Sequence, residues 1–424
     1  MTSRSAAARI ESRNMSSCPE RAEGGVPVAH PPRITGSSAD EPIRVLHRGF
    51  DGLDMAFTGA LRSKDVAILE SARSCAESEF GETLIEVGPG RVAMHVAAEG
   101  IPGGYRYQCD TGPFGEKWFF SRNQDPDRWN IRVSAKSLPL ALYGIETVYE
   151  KIRETLSALG IRHGAESVGR VDYATDLLMP DGFQIEPDHF VVHSRTSVTE
   201  HDSMLPVEKI GPDDILISLA GRHKSSTTIG KQPGRQVIVY DKRREAIAKN
   251  KLYWFDIWGL PTDTCLKVVR VEVRAGKKHL LDWEVRGFDD LLVKIGDVFL
   301  RGVDAVRYVD TRVELSNVSR YQLSPLWRVV QHEIASGLFE NISGAEPGRV
   351  IAGERERIRQ RYLEMIEALV PGAFVASGFT DADADDGVQR LLAEVAQHIS
   401  TDPKKFRSRC TGARKRLHFV VCKS

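Results

Sequence analysis

Three short runs alternate apolar and charged residues so strictly that each demands a sheet with one greasy side and one polar side. They are VGRVDYATD at 168–176, RQVIVYDK at 235–242 and VVRVEVR at 268–274. Successive side chains of a strand point to opposite faces. Arg170 and Asp172 therefore oppose Val171 and Tyr173, and Asp176 closes that run. Gln236, Ile238, Tyr240 and Lys242 oppose Val237, Val239 and Asp241. Arg270, Glu272 and Arg274 oppose Val269, Val271 and Val273. If the three strands are neighbours in a sheet covered by helices on one side only, the other side gathers carboxylates, cations and a tyrosine. Cross-strand ion pairs on a solvated sheet give the same pattern, so alternation alone defines a surface and leaves its use open.

The chemistry available on that surface is specific. A phenol titrates near 10 and is a poor nucleophile at neutral pH unless cations or a base assist it. Tyr240 is followed, after Asp241, by Lys242, Arg243 and Arg244, and from 222 to 251 nine basic residues, Lys231 and Arg235 among them, face only Asp241 and Glu245. Such a tyrosine is a candidate nucleophile for a phosphodiester, and an ordinary strand aromatic beside a solvated basic turn is the competing reading. Asp172 and Glu272, with Asp176 beside them, are hard oxygen donors of the kind that suit Mg²⁺ or Mn²⁺. Gly230 and Gly234 bracket the turn before Tyr240, where they serve a hairpin or a phosphate cradle.

Composition narrows the class. The 424 residues carry no formal net charge, so any polyanion binding must come from local patches. A second patch lies at 404–416. No apolar stretch reaches the roughly 18–20 residues of a membrane span, and the first residues lack a secretory apolar core; a cytoplasmic location is expected. The six cysteines show no paired spacing, which argues against a zinc site and a disulfide framework.

Along the chain, 1–43 is rich in Ser, Ala, Arg, Pro and Gly and reads as disordered. Residues 44–314 read as an α+β domain with a mainly antiparallel central sheet and flanking helices. Strands are expected at 52–57, 91–97, 105–110, 117–121, 130–134, 167–175, 215–219, 226–229, 236–241 and 268–273, and helices at 63–80, 147–159 and 283–297. Residues 315–424 read as a smaller helical region, with helices at 326–338, 352–369 and 388–399 and a solvated basic tail.

Taken in order, GRVDYATD, TTIGKQPGRQVIVYDKRRE and VVRVEVR resemble the signature strands of the Rep_trans family of replication initiation factors, which serve rolling-circle plasmids, filamentous phages and integrative elements. The resemblance extends over roughly 50–298. It implies an endonuclease and ligase that nicks one strand of single-stranded or cruciform origin DNA, keeps a 5′-phosphotyrosine link and leaves a 3′-hydroxyl for polymerase. Carried over to this chain, it implies Tyr240 as nucleophile and Asp172 and Glu272 as metal ligands. Lys242, Arg270 and Arg235 would meet phosphate, and Arg170, Lys231, Arg243, Arg244 and Arg274 would line the DNA. A host helicase and a second copy of the chain are the protein partners it suggests. The chain departs from the family at Ile238, where a basic residue is frequent. A nicking-dead DNA-binding regulator of a mobile element, and an interaction protein working through its helical tail, are the alternatives.

Overall fold

The structure is a computed structural model that describes residues 43–421 except 80, 193–196, 203–213, 221–222, 311–319, 342, 344 and 381–383. The expected disorder at 1–43 thus falls almost wholly outside the described residues. The chain opens with β1 (Arg44–Phe57) and α1 (Ser63–Glu79), followed by a meander of β2 (Thr83–Val87), β3 (Val92–Val96), β4 (Tyr107–Asp110), β5 (Glu116–Phe120) and β6 (Ile131–Ala135). Helix α2 (Ser137–Ala158) leads to β7 (Glu166–Leu178). Next come β8 (Phe190–Val192), β9 (Val198–Asp202), β10 (Ile215–Ala220), β11 (His223–Gly230) and β12 (Arg235–Asp241). Two short helices, α3 (Lys242–Ala248) and α4 (Tyr253–Trp258), precede β13 (Val268–Gly276), α5 (Lys277–Asp282), α6 (Phe288–Ala305) and β14 (Val306–Tyr308). The remainder is helical: α7 (Pro325–Gly337), α8 (Pro347–Ala376), α9 (Ala384–Thr401), α10 (Pro403–Arg416) and α11 (His418–Val421).

Twelve strands form one sheet in the order β2-β3-β4-β5-β6-β1-β7-β13-β12-β11-β10-β9, antiparallel at every step except β9 with β10. This is the mainly antiparallel α+β sheet anticipated from the strand patterns. The order is symmetric about its centre. β1 heads one meander and pairs with its last strand, β6; β7 heads the second and pairs with its last, β13; the two leading strands pair with each other. No repeat is visible in the residues themselves.

Differences from the sequence reading have local causes. β1 begins at Arg44 rather than 52 because register shifts at Val45/His47, Phe50/Gly52 and Asp54/Met55 scramble its alternation. In α2, Gly144 at φ 77° interrupts the helix, so regular spacing shows only from 147 onward. α6 starts at Phe288 rather than 283, since the side chains of Asp290 and Glu166 accept the amide protons of residues 286–288 and so fix its first turn. The basic run at 404–416 is no loose tail: Asp402 caps it by accepting the amide of Lys405 at 2.9 Å, and it forms α10.

One side of the sheet is packed by α6, whose Phe288, Leu291, Ile295, Val298, Phe299 and Val303 form a single buried stripe at helical spacing. Gly302 lets α6 sit close, because a Cβ there would stand 3.1 Å from Val273 Cγ1. The core continues past residue 315: Leu326, Trp327, Val330 and Ile334 of α7 join it, and Trp327 Nε1 donates to the Val303 carbonyl at 2.7 Å. A second, smaller core gathers Trp254, Phe255, Ile257 and Trp258 of α4 with Leu46, Leu138, Val268 and Val350. Burying such side chains contributes about 1.5–3 kcal/mol each. No described helix is long and apolar enough to cross a membrane. Cys75, Cys109 and Cys410 are free thiols, whereas Cys265 takes part in a disulfide that the scattered spacing did not announce.

Candidate functional site

The three alternating runs become β7, β13 and β12, which are consecutive in the sheet. Register aligns Asp176 with Arg270 and Arg270 with Tyr240; two residues along, Ala174, Glu272 and Ile238 align; two further, Asp172, Arg274 and Gln236. Arg170, Asp172, Asp176, Tyr240, Arg270, Glu272 and Arg274 therefore share one face, and the valines opposite enter the main core. The gathering expected from period two is present. Its openness is not: Asp172 and Glu272 are each 1% exposed and Arg270 is 0% exposed.

Arg270 is enclosed because α4 folds back over this end of the face. Its guanidinium is gripped by Asp176, with Nε to Oδ1 at 2.5 Å and Nη2 to Oδ2 at 2.7 Å, and Nη1 donates to Asp51 at 2.7 Å. Trp254 lies 4.1 Å from the guanidinium carbon, ring to cation, and Trp258 Nε1 donates to Asp176 at 2.8 Å. With three edges of the guanidinium occupied by protein, Arg270 organises charge within the fold and has no surface to offer an incoming phosphate. Asp176, read from the sequence as a third metal ligand, has both oxygens engaged by Arg270 and Trp258. Burial raises Asp51, but Arg270 and then Lys242 overcome it and hold the carboxyl at about 2.

Tyr240 is partly exposed, and its Oη donates to Glu272 Oε2 at 3.3 Å. Burial pushes its hydroxyl well above the usual phenol value; the nearby Arg270 opposes this, and Glu272 and Asp51 reinforce it. The tyrosine is thus protonated at neutral pH and has a carboxylate in place to take its proton. Lys242 does not extend the strand as expected. Asp241 ends β12 by accepting the Arg244 amide at 2.9 Å, so Lys242 is the first residue of α3. The helix nevertheless returns Lys242 Nζ to 3.5 Å from Tyr240 Oη, beside Glu245 at 2.7 Å and over the Trp254 ring at 4.9 Å. Burial, then Arg270, lowers the Lys242 ammonium below its usual value.

Further along the face, Arg170 donates through Nε to Asp172 at 2.8 Å and also through Nη2. Arg274 donates to Glu272 at 2.6 Å and stands 4.0 Å from Asp172. Burial pushes Asp172 up to about 7, against the Arg170 hydrogen bond and with help from the charge of Glu272. Among the described residues no cluster of three or more His, Cys, Asp or Glu is close enough to hold a metal ion. All four oxygens of Asp172 and Glu272 are already engaged, by Arg170 at Asp172 and by Arg274 and Tyr240 at Glu272, so the donor set as folded does not fit a divalent ion.

The remaining candidates separate. Arg170 and Arg274 keep 36% and 27% of their side chains exposed and border the pair. Arg243 and Arg244 ride on α3, the second of them exposed. Arg235 points to the opposite face, where its Cδ would lie 3.6 Å from a Cβ on Gly302. Lys231 is exposed in the hairpin turn, and Arg235, where β12 begins, is already about 17 Å along the strand from Tyr240. Gly230 and Gly234 build that turn around a cis Gln232–Pro233 peptide. Asp51, Trp254 and Trp258 complete the network with Glu245 and were not singled out from the sequence, although the Trp254/Trp258 spacing of four is a legible sign of a helix face.

Fold and site together define an α+β protein whose single large sheet carries a buried arginine–carboxylate network beside a partly exposed tyrosine. No protein-family model matches the chain, and no curated protein is similar to it in sequence. Among solved structures, a rolling circle replication initiator protein from Geobacillus stearothermophilus is similar at 13% identity, over 68% of this chain and 96% of the other, with a TM-score of 0.34.

Proposed function

We propose that this protein is a tyrosine-dependent DNA strand transferase that starts rolling-circle replication of a mobile element by nicking and rejoining one strand of origin DNA. The observation that carries this reading is the placement of Tyr240 Oη between Glu272 Oε2 and Lys242 Nζ, at the margin of a face bordered by Arg170 and Arg274. Tyr240 Oη bonds to phosphorus as the P–O3′ bond breaks. Glu272 takes the phenol proton, and the Lys242 ammonium, its hold on the proton loosened by burial, gives one to the departing 3′ oxygen. The products are a 5′-phosphotyrosine and a free 3′-hydroxyl. Attack of a 3′-hydroxyl on that link reverses each transfer, so rejoining needs no nucleotide cofactor.

The test is a denaturant-resistant adduct with labelled single-stranded or cruciform-forming oligonucleotides in Mg²⁺ or Mn²⁺. Tyr240→Phe is expected to abolish the adduct and leave binding within about threefold, since one hydroxyl is lost from an otherwise unchanged ring. Equal cleavage by parent and Tyr240→Phe would remove Tyr240 from the chemistry. The near-complete burial of Arg270, Asp172 and Glu272 favours one second reading, a DNA-binding regulator that keeps the network as architecture. Salt-dependent binding without any adduct would select it.

A further inference from the structure

α10 carries seven cations, Lys404, Lys405, Arg407, Arg409, Arg414, Lys415 and Arg416, and no acidic residue in its 14 positions. All seven are exposed, and none forms an ion pair with a described residue. Elsewhere on this molecule arginines on the site face are matched by carboxylates, so a helix that concentrates charge without neutralising it stands apart.

The arrangement around the helix is informative. At about 100° per residue, Phe406, Cys410, Ala413 and Leu417 fall on one side. Cys410, Ala413 and Leu417 are half-buried where the helix rests on the protein; the Lys415 carbonyl accepts from His95 Nε2 at 2.8 Å, and Phe419 packs edge-on against His95. Lys404, Ser408 and Lys415 point away from the protein, opposite that side; Arg407 and Arg414 form one flank, and Lys405, Arg409 and Arg416 the other. A helix with cations on its outward ridge and on both flanks matches a groove with anionic walls. The helix is about 21 Å long, and a B-form major groove is about 12 Å wide and admits one helix. The A-form major groove is too deep and narrow for it. A membrane surface fits less well, because the apolar side that would enter lipid is the side turned to the protein.

We infer that α10 is a docking helix for duplex DNA, held through the phosphates on both walls of a major groove. It is a contact separate from the tyrosine site and positions duplex beside the strand to be cut. The experiment uses the full-length protein and a mixed-sequence duplex of ~30 base pairs, titrated at several salt concentrations, with Arg407→Gln, Arg409→Gln, Arg414→Gln and Lys415→Gln combined. Each phosphate contact contributes about 0.9 to the slope of log K against log salt. The variant is expected to lose about 3.6 of that slope and on the order of a thousandfold in affinity near 0.1 M salt. Lys404→Arg, Lys405→Arg and Lys415→Arg combined keep the charge and are expected to bind like the parent. An unchanged slope in the glutamine variant overturns the inference, as does tighter binding to phosphatidylserine vesicles than to duplex. Adduct formation on a short single strand reads the tyrosine chemistry separately. Its absence with the slope change present would discard the nicking reading and keep the docking helix; its presence with an unchanged slope would do the reverse.

Discussion

Arg270 has no contact with water, and that governs what can be done to its neighbours. Its charge is tolerated because Asp176 and Asp51 oppose it and Trp254 covers it. Removing one partner of a buried pair costs about 3–5 kcal/mol, since the other charge stays buried and uncompensated. Asp176→Asn should therefore lower the unfolding free energy by about 3 kcal/mol in urea titrations; a loss under about 1 kcal/mol would mean that Asp51 alone suffices. Asp172 acts in the opposite sense. It ionises in the unfolded chain near 3.8 but in the fold only near 7, so its contribution is complete below pH 4 and is lost as the pH rises through 7. Asp172→Asn should gain on the parent by at least about 1 kcal/mol between pH 4.5 and 7.5. Asp51, with its lowered value, acts only at more acid pH, where its contribution falls away toward pH 2. At this scale the sequence was legible wherever period two held: Tyr240, Asp172, Glu272 and Arg270 could be placed on one face because the strands that carry them are regular. Asp51 was not, because it sits in a bulge of β1 that breaks the alternation. Trp254 was not, because contact across the sheet face is set by the return of α4 and leaves no mark on spacing.

The junction of β12 and α3 decides where the Lys242 amine goes. Asp241 caps the helix with one hydrogen bond, and Lys242, directly after it, is turned back toward Tyr240. Loss of an N-cap costs about 1 kcal/mol. Asp241→Ala should show that modest destabilisation and a larger fall in adduct rate, about tenfold or more, because general acid–base catalysis depends on placement. Equal, small effects on both would show that the cap matters to the helix alone. The strand of this junction was readable from its alternating valines. The helix was not, since its seven residues are too few for a period to appear and its basic run reads equally well as a turn.

Over the whole molecule, the change to helical sequence near 315 does not coincide with the edge of the main core. α7 buries Trp327 completely and ties it to α6. A fragment ending at residue 314 should lack a cooperative unfolding transition, by calorimetry, because loss of Trp327 alone forfeits about 3–5 kcal/mol. A sharp transition in that fragment would show that α7 is an accessory. Helices past 325 were legible from their spacing, and their docking was not, because amphipathicity says that a face is covered and leaves its partner unnamed. The symmetry of the sheet was equally hidden, since two meanders can share a path while sharing no residues.

That symmetry has a consequence in time. β1 is made first, yet it lies at the middle of the sheet, and its partners β6 and β7 lie near residues 131–135 and 166–178. β7 in turn waits for β13, which ends at residue 276. During synthesis β1 therefore stays open-edged until residue 178 and β7 until residue 276, and the row that holds Tyr240 is among the last to close. Long-range pairing of this kind folds slowly, so a half-made chain has a sheet margin to protect before it has any chemistry to perform.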